Sequence, residues 1–363
     1  IGATTDGLKH SSTNQKILDG SRKLGYPAKE VPQNNGGHEN HSCGFCYLGC
    51  KFGVKQGSVE CWFKHSPGTE FMCQTRVAKI LHTKGKAYGA LCTRPDGTEF
   101  IIKGPKKFVM CGGSLNTPIV LQHSGFKNKN IGSNLKLHPV SVLHADFGKE
   151  NRTHPEEEAI LTTVCTETAD LDGKAHGARI EAILHSPLLE SSIVGWRGSE
   201  WQRQFMLRYR QLAAFLLITR DYGSGSIRSA EDKQDALMLD YEVSKFDKNA
   251  LLECLIATAN IAYIEGAYEL IPPSTGMPVF KSNRPKEERL VTDKDFTKWL
   301  QEVRKVGLHD YQVTFGSAHQ MSLCRMANTP KKGACDTNGR LYECRNIFVA
   351  DALSMPTASG VNP

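Results

Sequence analysis

Apolar residues recur at helical spacing in two long stretches of the chain. Leu251, Leu252, Leu255, Ile256, Ala259 and Tyr263 mark one helix, with Asp247 as its expected N-cap. Phe296, Trp299, Leu300, Val303 and Val306 mark another. Thr292 and Asp295 resemble a capping box at its start, and Gly307 stops it. A third helix is expected from about Ser12 to Leu24. Ser12 or Thr13 would cap it, and Gly25 followed by Tyr26-Pro27 would end it.

From Phe71 to Met110 the pattern shortens to strands and turns. Arg76–Leu81 and Ala87–Cys92 read as strands, Arg94-Pro-Asp-Gly97 as a turn, and Thr98–Ile102 as the hairpin partner. Lys107–Cys111 is a short apolar strand that runs into Gly112-Gly113. A helix follows, expected to begin at Asn116-Thr117-Pro118 and to end at Ser124-Gly125. Strand, double glycine and helix make a βα junction whose bare backbone can approach a cofactor. After Tyr311 the chain turns loop-rich, and a last strand at Asn346–Ala350 breaks at Asp351. Roughly residues 145–310 read as a mixed α+β region without a motif whose chemistry is legible.

Composition narrows the function classes. The 363 residues can bury a large core and suggest two domains. The 45 basic and 38 acidic residues give +7, spread as single lysines and short pairs such as Lys331-Lys332. A nucleic-acid binder concentrates such charge in a stripe, so a solvated basic surface is preferred and no nucleic-acid partner is expected. Twelve cysteines in a chain of this length do not make a small disulfide scaffold. Cys254, inside an apolar helix pattern, reads as core, and the expected compartment is reducing and intracellular. The apolar run Leu251–Ala267 carries Glu253, Asn260 and Glu265, so it reads as a core helix and not a membrane span. The chain starts without methionine and stops at Gly-Val-Asn-Pro, which sets the expectation of a fragment.

Three constellations carry candidate chemistry. His319 sits in a small-residue loop, Phe315-Gly-Ser-Ala-His319-Gln-Met-Ser-Leu-Cys324-Arg-Met326, and a histidine titrates near working pH. The strand ending at Asp351 leads into a turn of small residues that closes on Gly360-Val-Asn362-Pro363, the kind of strand end where α/β proteins place ligands. His38, His41, Cys43, Cys46 and Cys50 form the third group. Cys-x-x-Cys beside histidine can hold zinc, but no second well-spaced pair follows. Packing or redox sensitivity is therefore preferred there, and no metal ligands are assigned. Cys324, Cys335 and Cys344 near His319 are a weaker alternative ligand set. Gly223-Ser-Gly225-Ser-Ile227 lacks the third glycine of a phosphate loop and reads as a strand-entry turn.

The first two constellations together resemble the C-terminal signature of the glucose–methanol–choline (GMC) oxidoreductase superfamily, in order and spacing across the last fifty residues. Cys111-Gly-Gly-Ser-Leu-Asn-Thr-Pro-Ile-Val-Leu-Gln-His-Ser-Gly125 resembles that family's second signature, with a departure at Phe126-Lys127. Lys127-Asn-Lys-Asn-Ile-Gly132-Ser-Asn-Leu-Lys-Leu-His138-Pro-Val140, and the early Cys-Gly-x-Cys-x-x-Gly-Cys run, are similar to the long-chain fatty alcohol oxidase branch.

The resemblance implies an FAD-dependent oxidation of a long-chain primary alcohol to its aldehyde, with O₂ reduced to H₂O₂. It implies His319 as catalytic base and Asn362 as hydrogen-bond partner of the substrate oxygen. Asp351 and Ala352 would contact the ribityl and phosphate part of FAD, Gly112 and Gly113 would give it a backbone approach, Val77 would meet the adenine, and Pro363 would lie near the flavin ring. The implied fold is α/β plus α+β: residues 1–140 as part of an incomplete Rossmann-like FAD-binding domain with the Cys-rich loop, 141–310 as an α+β substrate domain, and 311–363 returning to the FAD-binding domain and active site. Association of the full-length protein with an endoplasmic reticulum or peroxisomal membrane is an option the resemblance leaves open. One departure matters. The strand–GxGxxG–helix that holds the FAD pyrophosphate in the family does not occur in this sequence. Two alternatives therefore stay open: a flavin dehydrogenase using another acceptor, and an inactive shortened chain that keeps only a metal-stapled or partner-binding fold.

Overall fold

A computed structural model of the chain describes residues 2–39, 41–183, 185–230 and 237–362. The chain divides into two compact units. The first takes residues 1–68, 139–220 and 245–316, and the second takes 69–138, 221–244 and 317–363. Residues 2–68 belong to the first unit and 221–244 to the second.

The first unit is an α+β body built on a seven-stranded antiparallel sheet. In spatial order its strands are Ala28–Glu30, Thr163–Cys165, Gly177–Ala182, Leu212–Arg220, Val140–Asp146, Glu269–Ile271 and Phe280–Lys281. The central strand Leu212–Arg220 is buried at eight consecutive positions, so its run Leu-Ala-Ala-Phe-Leu-Leu-Ile is apolar throughout instead of alternating. Both faces of the sheet are covered. On one, Leu143, Ala145, Ile180, Phe215 and Leu217 meet Ile17 from helix Ser12–Leu24 and Leu251, Leu255 and Ile261 from helix Lys245–Ile264. On the other, Val142, Ala214, Leu216 and Ile218 pack with Ile183 and Ile193.

Helix boundaries shift from expectation for local reasons. Ser11, and not Ser12 or Thr13, caps the first helix by accepting from the Asn14 amide, while Gly25 closes it at φ 71. Helix Lys245–Ile264 starts two residues before Asp247, which is wholly buried in its first turn. The helix expected after Thr292 begins at Lys294. Its N-cap, Asp293, spends its carboxylate on the Tyr263 hydroxyl and the Leu290 amide, so no capping box forms.

The second unit contains a parallel strand pair, Phe108–Met110 with Ile347–Val349. It also has a meander Arg76–Thr83, Lys86–Thr93, Glu99–Lys103 and a three-stranded sheet of Ser133–Leu135, Gly225–Ser229 and Leu237–Asp240. Gly223-Ser-Gly225 is thus the strand entry it was read to be. The helix after the double glycine runs Gly113–His123. It begins earlier than expected and carries Pro118 inside it. Cys324, Cys335 and Cys344 are buried in this unit's core. Among the described residues no helix is long and apolar enough to cross a membrane.

The first unit holds a buried charge cluster on its second sheet face. The Glu190 carboxylate meets Nε2 of His144 and, at 2.7 Å, Nδ1 of His185. Glu190 is fully buried. Burial alone would raise its carboxyl, but the two imidazoles outweigh that and hold it at about 2. Glu190→Gln is expected to destabilise the protein by about 3–5 kcal/mol, because it strands the buried histidines. Urea unfolding of the two proteins measures this, and a difference under about 1 kcal/mol would show that the cluster is not held by its charge.

Candidate active site

The loop carrying His319 runs beside the turn that follows Asp351. The amides of Ser322, Cys324 and Met326 donate to the carbonyls of Ala352, Leu353 and Ser354 at 2.9–3.1 Å. These bonds fix the two stretches in register, as a sheet ladder would. Ser114, one residue into the helix after the double glycine, donates its hydroxyl to the Gln320 carbonyl. The three segments singled out in the sequence are therefore tied together within one unit.

At the first meeting point, Asp351 bridges two backbones. One carboxylate oxygen accepts from the Leu353 amide and the other from the Gly113 amide, both at 3.1 Å. Burial raises the Asp351 carboxyl, and these amide bonds work against that rise. Gly113 sits at φ 77 with open space where a Cβ would be, a conformation that favours glycine. Ala352 is exposed beside it. A cleft of about 600 Å³ lies on this unit, lined by Val77, Val109, Met110, Gly112, Asn116 and neighbours. Val77 and Val109 expose apolar surface there.

At the second meeting point, the Asn362 side chain hydrogen-bonds the His319 imidazole. His319 is half-buried. Burial lowers its pKa, and the bond to Asn362 pulls the other way. Every sequence-predicted site residue except Pro363, which lies outside the described residues, thus falls in one unit. The structure bonds His319 with Asn362 and Asp351 with Gly113 and puts Val77 and Gly112 on one cleft, while Ala352 lies next to Asp351 in the chain.

The residue that completes the second point had no role assigned from the sequence. His138 is fully buried, with Nδ1 3.4 Å from Nδ1 of His319 and the rings edge to face. Its Nε2 accepts from the Gly360 amide at 3.0 Å, with the Ser359 hydroxyl at 3.4 Å. Because a backbone amide can only donate, Nε2 is the acceptor, and neutral His138 carries its hydrogen on Nδ1, toward His319. The backbone at His138 is at φ 49, unusual for a side-chain-bearing residue and more so immediately before a proline. Asp221 holds it there. Its carboxylate accepts from the amides of Leu137 at 3.0 Å and His138 at 3.2 Å, and from the Tyr241 hydroxyl at 3.0 Å. A histidine before proline, just after Leu135-Lys-Leu137, was the available signal.

Residues 1–140 and 221–363 each match a family profile described as GMC oxidoreductase. The chain belongs to the GMC oxidoreductase family. It is 30% identical over 385 residues to a long-chain-alcohol oxidase of Arabidopsis thaliana, FAO4A, covering 100% of this chain and 50% of that protein. It is 29% identical over 394 residues to the long-chain-alcohol oxidase FAO3 of the same plant, again covering 100% of this chain and 50% of the relative. The chain thus spans about half the length of the curated relatives it matches. Pyridoxine 4-oxidase from Mesorbium loti shares the GMC fold, with TM-score 0.66 at 15% identity over 97% of this chain and 66% of that one.

The Asp221 clamp is open to test. Asp221→Asn puts an NH₂ group against backbone donors and should cost about 1.5–3 kcal/mol, against about 1 kcal/mol for Tyr241→Phe, which removes one hydroxyl. Denaturant unfolding ranks the two, and equal stability of Asp221→Asn and the parent would show that the turn needs no clamp.

Proposed function

We propose that the protein to which this chain belongs oxidises a long-chain primary alcohol to its aldehyde, with FAD as the redox group and O₂ as the final acceptor, giving H₂O₂. Likeness to the long-chain-alcohol oxidases supports the substrate class. The observation that carries the chemistry is the pairing of His319 with Asn362 within the second unit of a GMC chain.

The second unit's cleft fits part of a dinucleotide cofactor. It lies in the size range of ligand pockets, presents exposed valine surface for a planar ring, and opens on a glycine junction with no side chain in the way. Val77, Gly112, Gly113, Asp351 and Ala352 are the residues of this chain that would hold it. When bound, the flavin supplies the hydride-accepting centre.

This chain's own residues would supply the base and the orientation. Burial keeps His319 neutral near pH 7, ready to accept a hydroxyl proton. His138 directs its Nδ1 hydrogen at the lone pair on Nδ1 of His319. At 3.4 Å that contact is long and weak, so a substrate hydroxyl donating to the same atom displaces it at small cost. Asn362 then turns from His319 to the alcohol oxygen and orients it. His138 acts through His319 and is a positioning residue.

The test uses the intact protein with dodecanol, reading aldehyde and peroxide together. Equal yields of the two are expected, and aldehyde formed without peroxide would rule out the oxidase. His319→Ala should lower kcat/KM by about 10²–10⁴-fold; an unchanged rate removes His319 as the base. The pH profile adds a signed check. A base with a lowered pKa stays neutral to lower pH, so the acid limb of kcat/KM should fall below the ordinary histidine value of about 6.5. Asn362 favours the protonated imidazole, so Asn362→Ala should move that limb lower still. A limb that rises, or stays put, contradicts the pairing.

A further inference from the structure

The Cys-rich loop in the first unit assembles a feature that the alcohol chemistry does not use. Between strand Ala28–Glu30 and helix Ser58–Cys61 the described residues form no helix or strand. Four apolar side chains of the loop, Phe45, Tyr47, Leu48 and Phe52, are exposed. A segment of this length without a core of its own needs another means of holding its shape.

The ligand atoms of His41, Cys43, Cys46 and Cys50 supply one, since all lie within 4.8 Å of one another. Nε2 of His41 is 3.3 Å from the Cys50 sulfur and 3.5 Å from the Cys46 sulfur. A tetrahedral zinc with ordinary bond lengths places nitrogen and sulfur ligands roughly 3.6 Å apart. No disulfide joins the three sulfurs. His38, a candidate in the sequence, is outside the group.

The surroundings hold these atoms in place. Gly44 lies so close to the 155–157 segment that a Cβ would meet the Pro155 carbonyl oxygen at 1.8 Å. Its amide donates to the Glu156 carbonyl at 3.2 Å, and the Ser42 hydroxyl donates to the Glu157 carbonyl. These contacts pin the buried Cys43 on both sides. Gly49, at φ 127, turns the chain back so that Cys50 faces the others. The amides of Phe52, Val54 and Lys55 hydrogen-bond the Cys50 sulfur, the outer-shell pattern that supports a metal-bound thiolate.

We propose that His41, Cys43, Cys46 and Cys50 form a closed tetrahedral site for a structural zinc ion, which staples the loop of residues 31–57 to the first unit. Three sulfurs and one nitrogen select zinc over harder cations. With all four positions filled by protein, the ion has no place for water or substrate, so its role is folding and not catalysis. The spacing Cys-x-x-Cys-x-x-x-Cys hid this, because the fourth ligand is a histidine upstream and not a second cysteine pair.

Elemental analysis of the intact protein, purified without chelator, should find one zinc per chain. Essentially none, or a Cys43–Cys46 disulfide in peptide maps of fresh protein, would overturn the proposal. Cys46→Ser should lose the zinc and open residues 31–57 to trypsin, while Cys61→Ser, outside the quartet, should keep both. Retention of zinc by Cys46→Ser overturns the assignment. Should Cys46→Ser fail to fold, cobalt substitution of the parent decides. Thiolate-to-cobalt charge transfer with intense ligand-field bands of a tetrahedral ion supports the site, and weak octahedral bands or no binding refute it.

Discussion

The candidate active site depends on a backbone turn at one residue. His138 occupies a left-handed conformation before a proline, which costs on the order of 1–3 kcal/mol. Asp221 offsets that cost with two amide bonds and one hydroxyl bond to a buried carboxylate, each worth about 1.5–3 kcal/mol. Were His138 to relax into an extended backbone, its ring would leave the Gly360 amide, and the partner that faces His319 would go with it. Asp221 is 83 positions away in sequence, so a small change there reaches the site through the turn and not through contact with a reacting group.

Two of the buried carboxylates, Glu190 and Asp221, show how such a group can be kept. Glu190 is compensated by two imidazoles, and its carboxyl is held low. Asp221 has mainly neutral donors around it, with Lys136 as the charged neighbour, and its carboxyl is raised because burial outweighs them. The first arrangement stabilises by charge pairing across a sheet face. The second spends its hydrogen bonds on shaping backbone, which is what a site needs when the geometry of a single ring matters.

Local signals in the sequence carried much of the fold. Gly25 after an apolar helix pattern, the Arg94–Gly97 turn, the apolar strand into Gly112-Gly113 and the strand breaking at Asp351 all depend on neighbours within a few residues, and all appear where expected. Signals that depend on distant partners did not read correctly. Asp247 has a capping side chain, but the helix is packed deeply enough to begin before it. Asp293 is drawn away from its cap by Tyr263. Leu212–Arg220 has no alternation because both faces are covered, so nothing in its pattern distinguished strand from helix. His319 and Asn362 were singled out through family-like spacing, and the structure pairs them. His138 was not, since its partner Gly360 acts through a backbone amide, which carries no side-chain signature.

Two opposed influences meet at His319, and their balance bears on what kind of base it would be. Burial removes solvent from the imidazolium and lowers the pKa, while Asn362 hydrogen-bonds the charged form and raises it. One unit of pKa is about 1.4 kcal/mol of difference between the two forms. A ring with burial alone would be reliably neutral but a poor proton acceptor. A ring with strong anionic partners would be protonated before substrate arrived. An amide is the intermediate choice, since it stabilises the charge without bringing a full negative charge into the pocket. The free site therefore favours a neutral imidazole whose charged form still has one neutral hydrogen-bond partner. That property follows from putting a neutral side chain, and not a carboxylate, at position 362.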